Sequence, residues 1–176
     1  MKNIEDYSII IVMYHYVRQI KGSKYPNIKG LEFENFKKQI NFFSKKFNII
    51  SHNEFLEIIK SKKIPKKPSI MLTFDDGFID HYKYVFQHLR QKRISACFYP
   101  PIQVVENKTI LDVNKIHFIL EKEQNRKKIL NEIDNLLIKK NKKTINQLDL
   151  TKIKYLNDLY DDKETTLIKR LLQYYL

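Results

Sequence analysis

The stretch Ile70-Met71-Leu72-Thr73-Phe74-Asp75-Asp76-Gly77 carries an apolar, β-prone run straight into two adjacent carboxylates and then a glycine. An apolar run without alternation, bounded by turn residues, reads as a strand buried on both faces in a parallel sheet. In such sheets functional groups gather beyond the carboxyl ends of the strands. Successive side chains on a strand point to opposite faces, but a glycine directly after the pair lets the backbone turn so that both carboxylates reach one cavity. Like charges this close raise each other's pKa unless a cation offsets them. A divalent metal would do so, taking one carboxylate as a ligand and leaving the other as a base for metal-bound water. The same pair could instead cap a helix beginning near Phe78, where its charge would favour the helix dipole. Asp80 already suits the first turn of that helix, and the local physics leaves both readings open.

Working outward, Ser8 to His15 is a second apolar, β-branched run, ending in Met13-Tyr14-His15-Tyr16. A loop with Gly22, Pro26 and Gly30 follows. Phe33, Phe36, Ile40, Phe43 and Phe47 recur at helical spacing, opposite a face holding Lys37, Lys38 and Lys45. Asn48 to Ile50 reads as a short extended piece, and Ser51 or Asn53 as the cap of a helix over Glu54 to Lys60, ended by the Lys-Pro-rich stretch Lys62 to Pro68. Asp80 to Gln91 reads as an amphipathic helix and Ile94 to Tyr99 as a third strand, stopped by Pro100-Pro101. Strand, helix and strand in this order imply a parallel α/β arrangement with right-handed crossovers.

Beyond Pro101 the strand signal fades. Val113-Ile116-Ile119-Leu120, Ile129-Ile133-Leu136-Leu137 and Leu167-Ile168-Leu171-Leu172 are helical stripes, with Asn141 to Thr151 the weakest part. The expected organisation is therefore an α/β part over residues 1–101 and a helical region over 102–176.

With 176 residues, 43% of them hydrophobic, the chain can bury a real core. Cys97, the single cysteine, lies in an apolar run; this excludes a disulfide framework and suggests a buried structural thiol. The acidic start Met1 to Tyr7 is unlike a signal peptide, and no apolar run approaches the ~20 residues of a membrane span. A cytoplasmic protein is expected. The net charge of +13 comes mostly from scattered lysine among Asn and Ile, a mixture that AT-rich coding also produces. The basic segments contain no Arg-rich stripe, RNP-like aromatic pair or helix-turn-helix turn, so nucleic acid is not the expected partner.

The stretch LTFDDGFIDHYKYVFQHLRQKRISACFY, residues 72–99, closely resembles the first signature of the polysaccharide deacetylase family, also called NodB-homology or carbohydrate esterase family 4 proteins. IIVMYHYV resembles the family's first strand, and FENFKKQINFFSKKFNIISHNEFLEII its usual helix–strand–helix connection, so the resemblance spans about residues 8 to 101. It implies a distorted (β/α) barrel and metal-dependent removal of acetyl groups from N-acetylated amino-sugar glycans. Carried over by position, Asp75 would be the general base and Asp76 a ligand to a divalent metal, usually zinc. His15 and Tyr14, at the end of the first strand, would line the substrate pocket; a core role for His15 is equally open.

The family completes its metal site with a His-Ser/Thr-x-x-His sequence, and none occurs in this chain. Its later Arg-x-Pro-Tyr and Leu-x-His segments are also missing, and the region after the third strand resembles an insertion that some members carry. Among the chain's own histidines, His81 and His88 fall on roughly one helix face, His117 on another apolar helix and His52 at a helix entry. His81 has a short reach to Asp76 but is expected to be a surface imidazole. The expectation is a partial barrel with a helical C-terminal region: a truncated deacetylase, or alternatively an inactive module that binds a saccharide or a protein partner.

Overall fold

The computed structural model describes residues 9–62, 65, 67–149 and 161–175. Ser8, expected to open the first strand, and Thr151 lie outside them, as do the start of the chain and part of the Lys-Pro stretch. The chain divides into two compact units, Met1–Thr109 and Ile110–Leu176.

The first unit is mixed α/β. Its main sheet is built on β5 (Ser69–Asp75), whose first six residues are all buried. β1 (Ile9–Tyr14) runs parallel to β5 over its full length, from Ile9 opposite Ser69 to Tyr14 opposite Phe74. β4 (Asn48–Ile49) pairs with Ser69 and Ile70, and β6 (Cys97–Tyr99) with Thr73 to Asp75, both in parallel. Because β1 already occupies one edge of β5, β4 and β6 share its other edge end to end. A barrel built in chain order would have put β4 between β1 and β5. A direct β1–β5 pair is observed instead.

Parallel register puts even-numbered β1 and β5 residues on one face. Tyr14, Ile70, Leu72 and Phe74 pack there against Phe36 and Ile40 of α1 (Phe33–Lys46), joined by Val85 and Leu89 of the helical segment after β5. That segment begins as a π-helix (His81–Phe86) and continues as α3 (Gln87–Gln91) rather than as one α-helix. α2 (His52–Ser61) starts on a capping box: Ser51 Oγ accepts from Glu54 N at 3.2 Å, and Glu54 Oε2 accepts from Ser51 N at 2.7 Å. In the loop after β1, β2 (Val17–Arg18) and β3 (Leu31–Glu32) form a short parallel pair, secured by Glu32 Oε2 accepting from Ile20 N and Lys21 N at 3.0 Å each. α4 (Ile102–Asn107) follows β6.

The second unit is helical, as its apolar stripes predict. α5 (Asp112–Lys122), α6 (Arg126–Lys139) and α7 (Lys163–Tyr174) bury Ile116, Leu120, Ile129, Ile133, Leu137, Ile168 and Leu171 together. Arg126 ties the three helices. Its Nη1 donates to the carbonyls of Leu120 and Glu123 at the end of α5, at 2.8 and 2.7 Å, and its Nε to Thr165 Oγ1 at 3.1 Å. Among the described residues no helix is long and apolar enough to cross a membrane.

Candidate active site

β5 ends at Asp75, and the backbone then takes two consecutive left-handed residues, Asp76 at φ 71° and Gly77 at φ 65°. The turn is thus made by Asp76 as well as by the glycine. Aspartate tolerates this region better than most residues, at a cost of ~1–2 kcal/mol. Gly77 is required twice over: besides its φ, a Cβ there would lie 2.8 Å from Pro100 Cβ and 3.1 Å from Pro100 Cα. The proline pair after β6 closes against the turn after β5, fixing where the two carboxylates emerge.

Asp75 lies on the odd-numbered face of the sheet, opposite Tyr99 in register and one residue beyond the last β1–β5 pair, Tyr14 opposite Phe74. α1 and the helical segment after β5 pack on the other face. On the odd face the flanking strands leave Ile11 54%, Met13 59% and Tyr99 49% exposed, so Asp75 sits at the end of an accessible apolar surface. Cys97 shares this face through its pairing with Thr73; it is partly exposed rather than a fully buried thiol. A hydrogen bond with Cys97, followed by partial burial and the charges of Cys97 and Asp75, pushes the Tyr99 hydroxyl above its ordinary pKa.

Asp76 turns toward the end of β1. Its Oδ2 lies 3.4 Å from His15 Nδ1, with the carboxylate side chain 17% exposed and the imidazole 48%. His15 is therefore not a core histidine; it stands beside Asp76 with its ring open to solvent. Among the described residues neither Asp75 nor Asp76 accepts a hydrogen bond from the first turn of the next helix, which removes the capping reading. Asp80 makes no cap bond either, and its Oδ2 lies 3.5 Å from Arg18 Nε.

Tyr14, expected to line the pocket, points into the core. Its ring stacks on Phe74 at 5.0 Å and meets Phe36 edge-on at 5.3 Å, while its hydroxyl donates to Gln39 Oε1 at 3.0 Å. Burial pushes that hydroxyl up to about 12. The cause is strand parity: Tyr14 shares Phe74's face, and His15 does not. Tyr16 is buried as well, stacked on Phe78 at 4.3 Å.

His81, expected at the surface, is only 4% exposed. Its Nε2 donates to the His15 carbonyl at 2.6 Å, and rings of Phe74 and Phe78 meet it edge-on. Burial holds it below its ordinary pKa, so it is neutral with the proton on Nε2. His81 thereby pins the backbone that presents His15 to Asp76.

No protein-family model and no curated protein matches the chain. Among solved structures, a de-N-acetylase from Aggregatibacter actinomycetemcomitans aligns at 20% identity and TM-score 0.45, covering 52% of this chain and 37% of that one. The Streptococcus pyogenes deacetylase PplD, solved in complex with acetate, aligns at 17% identity and TM-score 0.50, covering 94% of this chain and 80% of that one. The chain has a deacetylase-like fold. That likeness concerns the fold, and the chain spans little more than a third of the first of these two proteins.

Within this deacetylase-like fold the described residues do not make up a metal site. Asp76 and His15 approach each other, but no three His, Cys, Asp or Glu side chains among the described residues are grouped to hold an ion. A catalytic zinc site takes about three ligands from the protein. Sequence reading had missed Tyr99, Pro100 and the buried role of His81. The last was signalled by the spacing His81, Val85, Leu89, which continues a core stripe.

Two measurements check this geometry. Gly77→Ala should cost at least ~1 kcal/mol more unfolding free energy than Gly22→Ala, since Gly22 shares the positive φ, 71°, but a Cβ there would meet nothing within 4 Å; equal losses would show that the Pro100 contact is unimportant. His81 has a folded pKa below its ordinary 6.5, so its stability contribution is fully present above pH 6.5 and lost as pH falls below it. Unfolding free energy should therefore decline on acidification, by at most ~1.4 kcal/mol per pH unit from this group. His88, also pushed down by burial, adds to that slope, so His81→Asn should remove part of it. An unchanged slope in the variant contradicts a buried neutral His81.

Proposed function

We propose that this chain is a deacetylase-type hydrolase module that acts on the N-acetyl groups of an amino-sugar glycan, with the partial (β/α) barrel of the polysaccharide deacetylase type. One observation carries the reading. A central parallel strand ends in two adjacent carboxylates that cap no helix, on a deacetylase-like fold, beside an exposed histidine and at the end of an accessible apolar sheet face.

In this reading Asp75 is the general base. Its carboxylate accepts a proton from the attacking water as oxygen adds to the acetyl carbonyl. Collapse of the tetrahedral intermediate breaks the carbon–nitrogen bond and releases acetate and the free amine, which takes up a proton. Asp76 is the carboxylate assigned to a divalent cation, zinc by resemblance, which when bound would polarise the acetyl carbonyl. Asp76 and His15 are two donors, so the fit to zinc is incomplete among the described residues. That shortfall favours a second reading, an inactive module that keeps the glycan-binding surface.

Acetate release from N-acetylglucosamine oligomers, measured with and without added Zn²⁺, separates the two. The hydrolase reading expects turnover that falls ~10²-fold or more in Asp75→Asn with metal content kept, and metal loss in Asp76→Ala. Saturable oligomer binding without acetate release selects the binding module. Neither binding nor release rejects both.

A further inference from the structure

The second unit, which does not contain the carboxylate pair, holds a cavity of about 200 Å³ between α5 and α7, lined by Val113, His117, Thr166, Lys169, Arg170 and Gln173. On α7 the four lining residues follow i, i+3, i+4, i+7 spacing and form one stripe; Val113 and His117 lie one turn apart on α5. The lining thus comes from two helices and is rich in hydrogen-bond donors: an ammonium, a guanidinium, an imidazole, a hydroxyl and an amide. None of the lining residues is a carboxylate.

The two cations differ in their commitments. Lys169 is paired with the carboxylate of Asp161, whose side chain is itself buried. Arg170 is only partly exposed, and its hydrogen bonding among the described residues is limited to Nη1 donating to Gln173 Oε1 at 3.5 Å, with the guanidinium 6.0 Å from the Tyr174 ring centre. Most of the guanidinium's five donors therefore remain for a ligand. The stripe on α7 thus brings a partly exposed arginine, whose hydrogen bonding leaves most of its donors over, to a concave space together with Thr166 and Gln173.

We infer that this cavity is a binding site for a small oxyanion of the phosphate class. Arg170 offers the bidentate fork that matches phosphate, while Lys169 lies beside it in its pair with Asp161. Thr166 and Gln173, on the same stripe of α7, add a hydroxyl and an amide to the lining. The volume lies below the ~300 Å³ at which pockets begin to take drug-sized ligands, which fits an anion or a phosphorylated sugar rather than a larger cofactor.

Calorimetric titration of the full chain with sodium phosphate at constant ionic strength tests the inference. Single-site saturation with a Kd of ~1 mM or tighter is expected. Arg170→Gln should weaken it about tenfold or more, and Arg170→Lys should restore part of the loss. Lys45→Gln removes the same charge from the first unit and should leave binding within about twofold, which isolates the cavity from diffuse attraction by the basic chain. Glucose 6-phosphate binding more tightly than phosphate supports the site with a phosphorylated sugar as its ligand; glucose 6-phosphate exclusion alongside phosphate binding supports it with the free anion. Circular dichroism of each variant verifies folding, and Lys169→Gln gives a second reading if Arg170→Gln does not fold. Absence of saturation by the unmodified chain, or equal weakening by Lys45→Gln and Arg170→Gln, overturns the inference.

Discussion

Every strand of the main sheet hydrogen-bonds to β5, and the backbone reversal at Asp76 and Gly77 against Pro100 sets where β5 stops. The rest of the first unit depends on that constraint. β1 is held alongside β5 over six residue pairs, which delivers His15 to the same end of the sheet as Asp75. β6 shares the opposite edge of β5 with β4 and delivers Tyr99. A strand buried on both faces cannot shift register without moving its whole apolar set. The packing of Ile70, Leu72 and Phe74 accordingly sets where the carboxylates at its end emerge, and Asp76 adds its contact with His15.

The charges around the turn are arranged to keep the pair at the surface of the sheet. Asp80 faces Arg18, and Asp76 faces the exposed ring of His15. His81 contributes no charge: neutral and buried, it acts as a hydrogen-bond donor that ties the backbone after β1 to the helix after β5. Removing that tie would loosen His15 relative to Asp76 without touching either side chain. Asp75 is left to the open face, where Tyr99 is its neighbour across the strand pair.

Much of this was legible in the sequence, and the limits were physical. The apolar run into Asp75-Asp76-Gly77 identified the central strand, and the helical stripes after Pro101 identified the second unit's core. Which strands neighbour β5 was not legible, because β4 and β6 are two and three residues long and their pairing is set by tertiary packing. Tyr14 and His15 stand together in the stretch that resembles the family's first strand, but strand parity sends their side chains to opposite faces, and Tyr14 goes to the core. His81 lies inside because it opens the buried stripe that Val85 and Leu89 continue at four-residue steps, a spacing that outweighs the polarity of its ring. The conformation of Asp76 could not be read from composition, since Gly77 alone appeared sufficient to make the turn.

The proposed function places reception of an N-acetylated glycan at the end of β5 and on the odd face beside it. It is tested most directly by mapping amide and side-chain chemical shifts of the isotopically labelled chain during titration with N-acetylglucosamine oligomers, a readout that requires no turnover. The largest changes are expected at His15, Asp75, Asp76 and Tyr99, with the core-facing Tyr14 little affected. Changes confined to other parts of the chain, or none at saturating oligomer, would contradict it.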